Sequence, residues 1–451
     1  MKITSVDKIR SFSKYIMWLY VIGSAASVFI IAIIRANYAS LTYDEGYSYI
    51  RYIFPLNITS FESIKSIVTD CLANNHLLNT FLCNIFLRIT NIAWNDFFMR
   101  LPSLIFYGIY LIALIWMLRK KKIGIIIYSL FIFNYYLNEF FSLARGYGMA
   151  TCLILFAIIM YDNWRRSKGE KLGYLSLFLM FLVLATAANT VVLLVMASFL
   201  PYVLYLLIKE KKLSRFLIRY FWSWIPLALI SMWMVKFHFM VSQKGKPLYT
   251  KDDTMYKTIV KSFTGMLIRN GQLINIFALF FICFILFGFI VVVVKLIYKK
   301  EVHVNYMIPS IIFIGELVAI KYVFSFGLPT ERVLLPMYPL LLFLFIDISL
   351  NCSSLYNLVN KKRIWIIQVF KRVFILLIIG FLVFNFTKNI SFTTYRDWKE
   401  NSNYKKLAYD AMVNPSTNRK DLVEMDYPMQ YYWVKMVKDY KYDIYDGVYL
   451  Q

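Results

Sequence analysis

Acidic side chains are scarce in this chain. Asp and Glu number 25 against 50 Lys and Arg, and charged residues of both signs make up only 17% of the 451 residues. Soluble domains keep roughly a quarter of their residues charged, so an ordinary water-soluble fold is excluded. Histidine occurs three times, and the five cysteines (Cys71, Cys83, Cys152, Cys283 and Cys352) show no paired metal spacing. Cys71 and Cys83 fall in one expected loop and are the two that could pair. No cleavable signal-peptide pattern is present: the run after Lys14 continues to Ile34, long enough to span, and reads as a retained anchor. Internal repeats are missing too, and with them the paired halves of many secondary transporters.

What the chain has in abundance is apolar surface. Hydrophobic residues make up 60% and aromatics 19%, and the mean hydropathy is +0.59. Several uncharged stretches reach the roughly 20 residues that cross a bilayer. The net charge of +25 would point to nucleic acid in a soluble protein. Here the basic residues cluster between apolar runs, at Arg119–Lys122, Arg165–Lys171, Lys209–Arg219, Lys299–Lys300 and Lys361–Arg372. That is the positive-inside bias, and nucleic-acid binding is not supported. The expected fold is an all-α polytopic bundle of about eleven transmembrane helices. Residues 1–387 form the membrane domain, and residues 388–451 a small extracytoplasmic tail.

Lys2, Lys8, Arg10 and Lys14 precede the first span, Tyr15–Ile34, which places the N-terminus in the cytoplasm. Further spans are expected at Leu101–Leu118, Ile123–Asn138 and Phe140–Tyr161, and as two crossings within Leu172–Ile208 broken near Thr186–Asn189. Tyr220–Val235, Gln272–Val294, Asn305–Ile320, a run from Arg332 to near Asp347, and Val373–Thr387 complete the set. A polar outer loop, Lys236–Asn270, carries His238. The first outer loop, residues 36–100, is too apolar for a linker. Thr59 and Glu62 form a capping-box pattern, followed by Ile64, Ile67, Val68, Cys71 and Leu72 on one helical face. His76–Ile89 repeats that periodicity, so two interfacial helices are expected there.

The costly polar residues all map to outer ends of spans or outer loops: Asp44, Glu45, Arg51, His76, Arg100, Glu139, Arg145, Lys321, Glu331 and Arg332. Asp44 and Glu45 are ringed by Tyr43, Tyr47 and Tyr49. Arg145, Lys321 and Arg332 suit an anionic head group, since a guanidinium grips phosphate oxygens bidentately. A nearby carboxylate suits removal of a proton from an attacking hydroxyl. A glycosidase would need two flanking carboxylates, one acting as acid. A phosphate leaving group needs only the base and the cations. The competing reading pairs Glu331 with Arg332 as a plain interfacial ion pair. Asp44, Glu45 and His76 also offer oxygen and imidazole donors for a divalent metal, although no cofactor is required by the reading preferred here.

These residues stand in a telling order. An Asp-Glu pair follows the first span, then come Asn74-Asn75-His76 and Arg100-Leu101-Pro102-Ser103, then Ala144-Arg145-Gly146-Tyr147, and late in the chain Glu331-Arg332-Val333-Leu334-Leu335-Pro336. The layout resembles the GT-C membrane glycosyltransferases, near the protein O-mannosyltransferases and the aminoarabinose transferase that modifies lipid A. The resemblance covers roughly the first two-thirds of the chain plus the late arginine segment. It implies a polyprenyl-phosphate sugar donor, inversion at the anomeric carbon, an extracytoplasmic acceptor and a site on the outer face of the plasma membrane. It also implies Asp44 as base with Glu45 as runner-up, and Arg332 as the donor-phosphate ligand, with Arg145, Lys321, Arg100, His76 and Tyr147 lining the substrate site. Relatives often carry a Glu two residues before the Arg that corresponds to Arg145, where this chain has Leu143, so the role of Glu139 stays open. Two other classes compete: a surface-polysaccharide polymerase or ligase using a lipid diphosphate, and a transporter or flippase, for which only Glu316 is a mid-span candidate.

Overall fold

The first helix, α1 (Ser5–Tyr38), carries no charge between Tyr15 and Ile34 and is long enough to cross a bilayer. Val21, Val28, Ala32 and Ala36 are buried along one stripe, while Leu19, Ile22 and Ile30 face outward. A long helix face made up of such residues fits surroundings that are themselves apolar. The small side chains of the buried stripe allow close approach of α5 (Asp96–Arg119), where Phe29 meets Tyr107 at a ring separation of 6.0 Å.

This computed structural model describes residues 5–69, 76–90, 95–120, 122–229, 232–233, 254–269, 271–323, 328–329, 331–359, 364–397, 404, 406–407, 427–428 and 430–432. Among them every regular element is helical. Six helices are long and apolar enough to span a membrane: Lys14–Tyr38, Asp96–Arg119, Gly146–Arg166, Val192–Lys209, Gly271–Ile297 and Glu331–Ser353. Leu77–Thr90, Leu172–Ala188 and Val373–Asn389 are shorter apolar helices. The protein is therefore a membrane-embedded helical bundle. Outward-facing Leu279, Phe280 and Leu376 on the later helices fit the same solvent.

One expected crossing is not a single helix. The run Ile123–Asn138 breaks at Phe133–Asn134 into α6 (Ile125–Ile132) and α7 (Tyr135–Phe141), because the Asn134 side chain accepts the Leu137 N–H and caps α7. In the first loop, α2 (Tyr43–Ser48) runs into a π-helical turn, Tyr49–Ile53. Next come α3 (Phe61–Thr69) and α4 (Leu77–Thr90), close to the two expected interfacial helices. The α3 cap is Ser60, which accepts from Ser63 N–H, whereas Thr59 is taken up by Asn57. Cys71, Asn74, Asn75 and His238 lie outside the described residues. Cys83 is a free thiol that donates to the Met99 carbonyl.

At the centre of the bundle is α8 (Gly146–Arg166), buried on nearly every side and packed against α9 (Leu172–Ala188). At 1.5 Å per residue, α8 measures about 30 Å, the thickness of a bilayer's hydrocarbon core. One end starts at Arg145. The other meets a basic belt in which Arg165 pairs with Glu210 and Lys212 pairs with Glu170 and Glu210.

Candidate active site

The site begins with a helix cap. Thr42 and Glu45 form a capping box at the start of α2: Thr42 Oγ1 accepts the Glu45 N–H at 3.2 Å, and Thr42 N–H donates to Glu45 Oε2 at 3.0 Å. That geometry turns Glu45 inward. Arg100 grips it bidentately, Nε to Oε1 at 2.8 Å and Nη2 to Oε2 at 2.7 Å, and Ala144 N–H adds a bond to Oε1 at 2.7 Å. The remaining Arg100 N–H groups donate to the carbonyls of Ala36, Ala39 and Ser40. All five donors of this fully buried guanidinium are engaged. Glu45 and Arg100 are thus engaged with each other and with the backbone, clamping α1, α2, α5 and the loop before α8.

Asp44 is placed differently. Its Oδ2 lies 3.6 Å from Arg145 Nη2 and 3.4 Å from Arg332 Nη2, with only 8% of the side chain exposed. Arg145 is fully buried and also donates to the Asp44 carbonyl and to Ser48 Oγ. Arg332 keeps 31% side-chain exposure and lies 3.9 Å from Asp397, whose Oδ2 accepts the Tyr136 hydroxyl at 2.6 Å. Glu331, the residue before it, has a left-handed backbone, φ 49°, uncommon without glycine. Its N–H donates to Ser262 Oγ. The carboxylates placed against Arg332 are those of Asp44 and Asp397.

His76 packs beside this cluster. Nδ1 lies 2.9 Å from the Ala188 carbonyl, which makes Nδ1 the protonated nitrogen, and the ring meets Tyr147 edge-on at 4.9 Å. Nε2 is buried with no hydrogen-bond partner among the described residues. Burial first, then the charges of Arg145 and Arg332, hold the imidazole well below its ordinary titration range, so it presents a neutral acceptor nitrogen. Tyr147 lies beneath the Arg145 guanidinium at 5.9 Å. Gly146 has no room for a side chain: a Cβ there would collide with the Ala188 carbonyl and crowd His76.

Asp44, Arg145, Arg332, His76 and Tyr147 thus come together. Lys321 ends its helix half-exposed, and the described contacts do not join it to this cluster; Arg51 is exposed. Among the described residues no three His, Cys, Asp or Glu side chains gather as a metal-ligand set. Glu45 is committed to Arg100, and His76 turns its Nδ1 away to Ala188.

Sequence reading missed a second layer drawn from the chain beyond the last span. Arg35, at the end of α1, pairs with Glu139 at 3.2 Å, and its guanidinium lies 4.8 Å over Tyr395. Glu139 also accepts the Arg396 N–H, which gives that carboxylate an anchoring role. Tyr431 and Tyr432 both donate to Asp96 at 3.0 Å, and Tyr432 accepts the Leu41 N–H at 2.7 Å. Burial and the adjacent Asp96 push both phenols well above their ordinary range, keeping them protonated as donors. Tyr427 meets Tyr43 and Tyr47 edge-on. The tyrosine ring around Asp44 is thereby packed by the tail. Compared with known proteins, the chain matches no family, no curated protein and no solved structure.

Proposed function

We propose that the protein is an integral membrane glycosyltransferase that moves a sugar from a polyprenyl-phosphate carrier to an acceptor on the outer face of the plasma membrane, with inversion. The observation that supports this reading most directly is the 3.4 Å approach of Arg332 to Asp44, two residues remote in sequence and opposite in charge. The resemblance to the GT-C enzymes assigns these same two positions to base and phosphate ligand.

In the resting site, Arg332 and Arg145 neutralise Asp44. An arriving donor phosphate competes for the Arg332 guanidinium and loosens its hold on the carboxylate. Asp44 then takes the proton from the acceptor hydroxyl as its oxygen attacks the anomeric carbon. The bond from that carbon to the phosphate oxygen breaks, and the electron pair leaves on the phosphate, where Arg332 stabilises the charge. His76 Nε2 is suited to receive a hydrogen bond from a substrate hydroxyl, and Tyr147 fixes its ring.

The test is incubation of the purified protein with a panel of polyprenyl-phosphate sugars, scored for free polyprenyl phosphate. Asp44→Asn is expected to lower the rate by about 10²–10⁴-fold without changing insertion or melting behaviour. A wild-type protein that releases no carrier from any donor overturns the reading. Wild-type rates in Asp44→Asn remove Asp44 as base.

A further inference from the structure

Two carboxylates approach Arg332 from different sides. Its Nη2 lies 3.4 Å from Asp44 Oδ2, and its Nη1 lies 3.9 Å from Asp397 Oδ2. We propose that Asp397, oriented by Tyr136, is a positioning residue that keeps Arg332 in place when the guanidinium lets go of Asp44. What Arg332 does once held rests on the transferase reading; how it is held does not.

The need for such a holder comes from the arginine side chain. Its backbone is fixed, since Glu331 N–H donates to Ser262 Oγ and the turn Glu331–Met337 continues from there. The guanidinium, however, sits at the end of a long rotatable stem and is 31% exposed. Such a group keeps its aim only where neighbours fix its far end. A guanidinium presents its N–H groups as a rigid planar fork, so Nη1 can stay on one carboxylate while Nη2 changes partner. Asp44 is the carboxylate assigned to the reaction, and the holder has to be the other one.

Asp397 has the rigidity that this role requires. Its Oδ2 accepts the Tyr136 hydroxyl at 2.6 Å, the length of a hydroxyl bound to a carboxylate, and Tyr136 is 1% exposed. The three residues before Asp397 are pinned one after another. The Thr394 carbonyl accepts Arg35 Nη2 at 3.2 Å. The Tyr395 ring lies 4.8 Å from the Arg35 guanidinium and 5.7 Å from that of Arg100, and its hydroxyl donates to the Ser142 carbonyl. Arg396 N–H donates to Glu139, while Nη1 donates to the Tyr135 hydroxyl and the Gly265 carbonyl. Residues 394–397 thus form a strap tied to α1, α5 and α7, with Asp397 at the end that reaches Arg332. Because its Oδ2 is shared between Tyr136 and Arg332, Asp397 acts through the guanidinium and not on substrate.

The full-length protein in phosphatidylcholine nanodiscs, treated with phenylglyoxal and mapped by mass spectrometry, tests the holding directly. Reaction at an arginine requires its guanidinium to come away from its carboxylates. Asp397→Asn keeps an acceptor for Tyr136 and removes the charge, so it should speed modification of Arg332 about two- to fivefold at an unchanged melting temperature. Tyr136→Phe should act in the same direction and less, and Asp397→Glu should return the rate towards wild type. Carrier release per folded protein should fall about tenfold in Asp397→Asn and recover in Asp397→Glu. Wild-type reactivity of Arg332 in both Asp397→Asn and Tyr136→Phe overturns the proposal. So does an equal rise at Arg396 with a lower melting temperature, which would mean that Asp397 only keeps the strap folded. If Arg332 reactivity follows the variants while wild type releases no carrier from any sugar donor, the positioning role stands and the transferase reading falls.

Discussion

Arg100 and Arg332 carry the same side chain and do different work, and their neighbours decide which. Arg100 has every N–H engaged and no exposure, so replacing it removes one partner of a buried pair and strands Glu45. Arg100→Met is expected to destabilise the protein by roughly 3–5 kcal/mol, visible as a lower melting temperature in detergent. Arg332 keeps contact with solvent and two carboxylates, which is what a ligand-exchanging residue needs. His76 makes a pH prediction. Its folded pKa lies below the ordinary 6.5, so its contribution to stability is fully present above about pH 6.5 and is lost as pH falls below that value. Wild type should lose up to about 1.4 kcal/mol per pH unit from this group, and His76→Asn should flatten that slope in melting experiments from pH 7 to 5.

At the scale of elements, α2 is a six-residue helix that could not hold its shape alone. It is held from below by the Glu45–Arg100 clamp and from above by the tail. Gly46 records the upper contact: a Cβ there would lie 2.7 Å from the backbone nitrogen of Pro428. Gly46→Ala is expected to unseat the tail from α2, making the chain beyond Asn389 cleavable by added protease and lowering any transfer activity. Resistance equal to wild type would show that the contact is dispensable. The Thr-x-x-Glu spacing of Thr42 and Glu45 was readable as a capping box, and with that reading Glu45 falls to the cap and Asp44 is the carboxylate left for the proposed chemistry. The pairing of Glu139 with Arg35 had no such local signal, because the two residues meet only through the packing of α7 on α1.

For the molecule as a whole, the two ends of α8 differ in their surroundings. Arg145 at one end touches Asp44, and the Arg165–Glu210 belt closes the other. Positive-inside charge predicts the belt in the cytoplasm and the proposed site outside. A cysteine introduced at Phe61, 74% exposed in the first loop, should react with a membrane-impermeant maleimide on intact cells when Cys71, Cys283 and Cys352 are replaced by serine and the buried Cys83 and Cys152 are kept. A cysteine at Arg166 should react only after permeabilisation. The reverse pattern would put the site on the cytoplasmic face.

Apolar run length and the placement of lysine and arginine determined by themselves that this is a multi-helix membrane protein, and approximately where its helices lie. These are local or additive properties of the chain. Tertiary structure alone decided that Asp44 meets Arg332, and that Tyr395, Asp397 and the Tyr431–Tyr432 pair pack around the cluster. Those outcomes depend on contacts between segments hundreds of positions apart, where the partner of each buried charge is set by packing and by the cost of leaving it unpaired.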